Sequence, residues 1–86
     1  MKPEFYLILR DHSELTTELE DAVFEAGFDD SVLTIRGPHA AIEVFARDGE
    51  VGDVVRHAIG QAEAAGLIVS EVRLARTSFP PQPAAG

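Results

Sequence analysis

Few side chains in this sequence carry the chemistry of catalysis or metal binding, and none is spaced as an active site requires. The three histidines, His12, His39 and His57, form no HxH or HExxH pattern. A site assembled from His39 with Asp29 or Asp30 would need further converging ligands. The serines lack a nucleophile-elbow context, and without cysteine there is no disulfide, thiolate metal site or cysteine nucleophile. We therefore expect no catalytic residue, no metal, no cofactor and no enzymatic activity.

Carboxylates are the most abundant charged groups, and four of them recur with helical spacing. Glu14, Glu18, Asp21 and Glu25 stand at i, i+4, i+7 and i+11, which places them on one face of a helix. One interpretation is a docking face for a basic partner, and these four are the candidate partner-binding residues. The other is a solvated face that keeps a small protein soluble, which we prefer because charge runs usually need no partner.

Composition and charge narrow the classes of function. With 86 residues, of which 45% are hydrophobic and 26% charged, the chain has the size and composition of one globular domain. The net charge is −8, and residues 1–43 carry ten acidic and three basic side chains. Direct nucleic-acid binding is not expected, since phosphate contacts need lysine and arginine. The net charge is compatible with a basic partner protein.

No targeting or membrane segment is predicted. No apolar run reaches the roughly 18 residues of a membrane span. The start, Met1-Lys2-Pro3-Glu4, lacks the apolar core of a signal peptide. We expect a cytoplasmic protein without a membrane partner.

Hydrophobic periodicity predicts the helices and strands that position these side chains. Alternation predicts strands over 4–10, 31–36, 41–47 and 67–76, and a 3.6-residue period predicts helices over 15–26 and 51–65. Each helix ends at an Ala-Gly pair, Ala26-Gly27 and Ala65-Gly66. For the first helix, Asp11 with Glu14 has capping-box spacing, and Ser13 is a competing cap.

The order β-α-β-β-α-β favours an α+β fold, the ferredoxin-like plait. Right-handed crossovers then place two helices on one face of a four-stranded antiparallel sheet, with the first and third strands at its centre. We expect one domain over 1–76 and a disordered Pro/Ala-rich tail over 77–86. The alternative is the same set of elements exchanged between two chains.

One face of such a sheet is left without helices. The alternation places Tyr6, Ile8 and Phe45 on this face, with Val69 added from the fourth strand, whose residues Ile68, Val72 and Leu74 would face the helices. An apolar patch on an open sheet favours a partner or dimer interface, so these four are the candidate interface residues. The alternative is a modest patch screened by its charged neighbours, Arg10, Glu43, Arg47 and Arg73.

Three segments carry a resemblance to a known group of proteins. They are Glu4-Phe5, the run Glu25-Ala26-Gly27-Phe28-Asp29-Asp30, and the run Ile42-Glu43-Val44-Phe45-Ala46-Arg47. They resemble small acidic bacterial proteins of uncertain function, several of which continue into a helix-turn-helix. The resemblance covers most of residues 4–75 and implies a role near transcription control or toxin–antitoxin-like regulation. Here Pro80-Pro81-Gln82-Pro83 follows instead of a recognition helix, which argues against direct DNA binding.

These observations together predict a non-enzymatic interaction or regulatory module of the bacterial cytoplasm. It would act as a homodimer, antitoxin-like or as an adaptor to a basic partner. The first alternative, by analogy of fold alone, is a sensor that binds a small molecule at a subunit interface. The second is a small enzyme with carboxylate acid/base residues, which predicts a carboxyl with a raised pKa.

Overall fold

The six predicted elements are all present, in the predicted order. The computed structural model describes residues 2–74. Their elements are β1 (Phe5–Leu9), α1 (Thr17–Glu25), β2 (Val32–Arg36), β3 (His39–Val44), α2 (Val51–Ala64) and β4 (Val69–Leu74). The four strands form one antiparallel sheet in the order β2-β3-β1-β4. The ferredoxin-like plait is thereby confirmed, with the first and third strands at the centre.

The core lies between the sheet and the two helices. The central strands contribute alternate residues that are fully buried, because period-2 alternation sends every second side chain to the same face. Each helix contributes residues four positions apart, which lie on one helix face. The buried residues of this core are Phe5, Leu7, Leu9, Leu19, Val23, Phe28, Ala40, Ile42, Val44, Val54, Ala58, Ala62 and Leu67.

The repeated Ala-Gly step ends both helices in the same way. Gly27 and Gly66 have positive φ angles of 98° and 85°, a conformation that glycine adopts without steric cost. The chain then reverses so that the amide of Phe28 donates to the Val23 carbonyl at 3.2 Å, and Leu67 N to Ala62 O at 3.0 Å. These bonds satisfy free carbonyls at the helix end and deliver a buried hydrophobic residue to the core.

The first helix begins later than either predicted cap. Thr16 is the N-cap, and its hydroxyl accepts a hydrogen bond from the Leu19 amide at 3.1 Å. The predicted caps Asp11 and Ser13 are therefore wrong, and Leu15 lies before the helix with its side chain exposed. The threonine at 16 satisfies one of the amides that a helix start leaves unpaired, so it competes with the earlier polar residues as a cap.

The strand boundaries differ from the prediction by up to three residues. β3 begins at His39 because Gly37 and Pro38 alone form the hairpin turn, and it ends at Val44 before Phe45. β4 begins at Val69 rather than at residue 67. Residues 75–76 of the predicted last strand and the predicted tail over 77–86 lie outside the described residues. No helix within residues 2–74 is long and apolar enough to cross a membrane.

Candidate interaction surfaces

The sheet surface opposite the helices is the first candidate, and we call it the open face. Its residues alternate with those of the core along each strand and are matched across the sheet by register, Tyr6 with Glu43 and Glu43 with Val32. By this alternation the open face comprises Tyr6, Ile8, Val32, Thr34, Arg36, His39, Ala41, Glu43, Glu71 and Arg73. Phe45 follows β3 by one residue, two positions after Glu43, at the end of this face.

The centre of the open face is closed, and its exposed apolar residues lie nearer the rim. Ile8 is only 2% exposed and its cross-strand neighbour Ala41 is fully buried, so Ile8 has almost no surface to offer a partner. Val32 and Phe45 are 46% and 41% exposed, and Tyr6 is half-buried. A partner on this face would therefore contact Val32, Phe45 and Tyr6. Sequence reasoning missed Val32, although β2 alternation alone placed it on the same face as Thr34.

An arginine lies across the aromatic ring on this face. The guanidinium carbon of Arg36 is 4.4 Å from the centroid of the Tyr6 ring. Since β3 lies between β2 and β1, this side chain reaches across one strand to make the contact. A cation over an aromatic face contributes about 0.5–1 kcal/mol at an exposed site. The contact fixes both side chains and leaves the charge of Arg36 at the surface.

Val69 does not lie on the open face, and its predicted position there is wrong. The register between β1 and β4 shifts by one residue after Ile8, so that Val69 pairs with Leu9 and packs against the core. Such a bulge exchanges the two faces for every residue beyond it. Ile68, predicted to face the helices, is exposed, and Leu74, although paired with Phe5, is also exposed.

The second candidate is the outward face of α1. The four predicted carboxylates are all exposed, but Glu14 precedes the helix, so only Glu18, Asp21 and Glu25 share helical spacing. Sequence reasoning missed Phe24, which is 66% exposed on the same helix. The sequence could have predicted this exposure, because Phe24 directly follows Val23 and so lies outside the stripe of α1 residues that enter the core.

A polar cluster at the end of α1 ties three segments together. Arg47 Nε donates to Asp30 Oδ2 at 3.1 Å and Nη1 to Gln61 Oε1 at 2.8 Å. Gln61 Nε2 in turn donates to the Ala26 carbonyl at 2.7 Å. The Arg47 guanidinium carbon lies 4.9 Å from the Phe28 ring centroid. We call Asp30, Arg47 and Gln61 the loop clamp, since they join the α1–β2 loop, the segment after β3, and α2.

The charges of the loop clamp indicate a structural role rather than a role in binding an anion. The guanidinium beside Asp30 lowers the pKa of that carboxyl, with burial acting in the opposite direction. Asp30 therefore stays ionised and neutralises Arg47, which leaves this arginine engaged rather than available to an anion. A β-carbon at Gly27 would collide with the Gln61 amide, so the glycine also provides room for the clamp.

Neither the grouping of possible metal ligands nor comparison with known proteins indicates a further site. Within residues 2–74, no three histidine, aspartate or glutamate side chains are grouped closely enough to hold a metal ion. Asp53 on α2 forms an ion pair with Arg56 at 2.6 Å. The chain matches no protein-family model, no curated protein and no solved structure.

Proposed function

We propose that this chain is a non-enzymatic protein-interaction module of the cytoplasm that forms a homodimer through its open face. The observation that carries the proposal is the exposure of Val32 and Phe45 beside the buried centre of the sheet face opposite the helices. The half-buried ring of Tyr6 lies in the same face. Exposed apolar side chains grouped on one surface are typical of an interface.

The charge of the open face is compatible with a second copy of the chain as the occupant. The open face carries two arginines, Arg36 and Arg73, and two glutamates, Glu43 and Glu71, so its charge is balanced. The chain as a whole carries −8. Two copies that meet through an acidic surface would bring like charges together, whereas two copies of the balanced open face can meet without a net repulsion between the faces.

Two glutamate substitutions on β2 test the proposal against its nearest alternative. Val32 and Ile35 are 46% and 41% exposed on the same edge strand, but Val32 lies on the open face and Ile35 on the helix side. Each of Val32→Glu and Ile35→Glu adds one negative charge to the strand. We expect V32E to dissociate the dimer, since it buries an unpaired carboxylate twice in a symmetric interface, and I35E to leave it intact.

The measurement is the molar mass of the full chain by light scattering, over a range of concentrations, with circular dichroism to verify folding. Phe45→Glu serves as the second open-face variant and should act as V32E does. A monomeric wild-type chain would refute the proposal. Loss of the dimer in I35E as well as V32E would instead indicate association through the β2 edge.

A further inference from the structure

The outward face of α1 carries an aromatic side chain among unneutralised carboxylates. Phe24 is the most exposed large hydrophobic residue among those described, at 66%. Glu20 and Asp21 stand one helical turn before it, at i−4 and i−3, and therefore lie beside it on the helix surface. An aromatic ring in this position loses the benefit of burial while remaining available as an anchor for a partner.

No described lysine or arginine pairs with the charges on α1. The helix contains Glu18, Glu20, Asp21 and Glu25 and no lysine or arginine, and none of these carboxylates takes part in an ion pair with a described residue. Glu18 with Asp21 and Asp21 with Glu25 are like charges one turn apart, which disfavours the helix. Glu25 also stands in the last turn, where the helix dipole favours a cation.

The other helix does not combine the two features. α2 packs on the same side of the sheet, but Asp53 forms an ion pair with Arg56 on its surface. Its one strongly exposed large hydrophobic residue, Val51, stands at its first position, away from Glu63. The combination of an exposed aromatic ring and unpaired carboxylates is therefore a property of α1 and not of the outward helix faces in general.

We propose that the outward face of α1 docks a basic amphipathic helix of a partner protein. Lysines or arginines of that helix would pair with Glu18, Glu20, Asp21 and Glu25, and its apolar side chains would cover Phe24. Charge complementarity selects this occupant. A neutral apolar surface would desolvate the carboxylates without pairing them, and a second copy of this acidic chain would repel them. The inference goes beyond the proposed dimer, because α1 lies on the opposite side of the sheet from the open face.

The test is a titration of the isotope-labelled full chain with a synthetic amphipathic helical peptide made of leucine and lysine. The amide chemical shifts of the labelled chain are measured at each peptide concentration. We expect the shifts to concentrate on α1 and the affinity to fall about tenfold in Phe24→Ala, as for a central aromatic contact. Because Phe24 is exposed, F24A should remain folded by circular dichroism. The same peptide with glutamate in place of lysine should not bind.

The matched control is Glu63→Gln, which removes an exposed carboxylate from α2. We expect E63Q to bind the peptide within about twofold of the wild-type chain, as is usual for a charge outside the contact. Three results would overturn the inference: no binding of the lysine peptide, wild-type affinity in F24A, or shifts spread equally over both helices. The dimer measurement is independent of all three, so failure of one proposal leaves the other standing.

Discussion

At the scale of single residues, the loop clamp shows how one arginine organises two loops. Arg47 is largely buried, and a buried guanidinium is stable only when its charge and donors are matched. Asp30 supplies the charge, the Gln61 amide oxygen supplies a further acceptor, and the Phe28 ring lies beneath the guanidinium plane. Removal of the carboxylate would leave a charge with incomplete compensation in a largely enclosed site.

We expect Asp30→Asn to lower the free energy of unfolding by about 1 kcal/mol at neutral pH, a figure reduced for the partial exposure of the carboxylate. The pKa of Asp30 is lowered from its ordinary value of 3.8. Its contribution is therefore fully present above the unfolded pKa and is lost as the pH falls through the lower, folded pKa. Urea unfolding of wild-type chain and D30N from neutral to acidic pH should show the two curves converging in acid.

The control for this prediction is Asp29→Asn, at the exposed neighbouring position. Surface substitutions of this kind change stability by less than about 0.5 kcal/mol. An equal loss in D29N and D30N would mean that general charge repulsion, rather than the loop clamp, sets the pH dependence.

At the scale of the elements, a single bulge determines which side chains of β4 face the core and which face away from it. On the C-terminal side of the bulge in β4, Val72 and Leu74 share the face of Leu7 and Phe5 in the expected alternation. On its N-terminal side, Val69 takes the place beside Leu9 that uninterrupted alternation would assign to Ser70. The Ser70 hydroxyl donates to the Ile8 carbonyl at 3.3 Å, and the Arg10 amide donates to Ile68 O at 2.9 Å. These bonds stabilise the irregular segment, and the shift brings an apolar side chain to the core in place of a polar one.

We expect Val69→Ala to lower the free energy of unfolding by about 1 kcal/mol, since it removes apolar surface that packs against the core. Ile68→Ala, at the neighbouring exposed residue, should change it by less than about 0.5 kcal/mol. Thermal or urea unfolding of the two variants checks the difference. The reverse order, with I68A the more costly, would mean that β4 pairs without the bulge.

At the scale of the whole molecule, charge separates the two candidate surfaces. The chain carries −8, the open face is balanced, and α1 is acidic without described cations. Self-association must overcome the repulsion between two acidic bodies, whereas a basic partner is attracted by the same field. Salt screens both effects. The two associations should therefore respond to ionic strength with opposite signs.

We expect the dimer Kd to fall severalfold as sodium chloride is raised from low to high concentration, because screening removes the repulsion between copies. The affinity of the lysine peptide for α1 should weaken over the same range. Sedimentation velocity measures the dimer Kd, and peptide titration measures the affinity for the lysine peptide. V32E is the control, because we expect it to stay monomeric at every salt concentration. A dimer that weakens with salt would indicate that ion pairs across the interface, and not apolar contacts, hold it together.

The sequence by itself was sufficient for the elements and for the fold. Alternation and helical periodicity depend on the nearest neighbours in the chain, so the core faces of β1, β3 and α2 were predictable, as were the Ala-Gly helix ends. The order of elements and the handedness of their crossovers then left the ferredoxin-like plait as the favoured arrangement, which the structure has.

Only the tertiary structure decided which residues each surface presents. The bulge that moves Val69 into the core depends on pairing with β1, distant in the chain, and a shift of one residue exchanges the faces. The burial of Ile8, the exposure of Val32 and the meeting of Arg47 with Asp30 depend on which strands and loops become neighbours. Local periodicity specifies the direction of a side chain relative to its own element, whereas exposure depends on what the rest of the chain places over it.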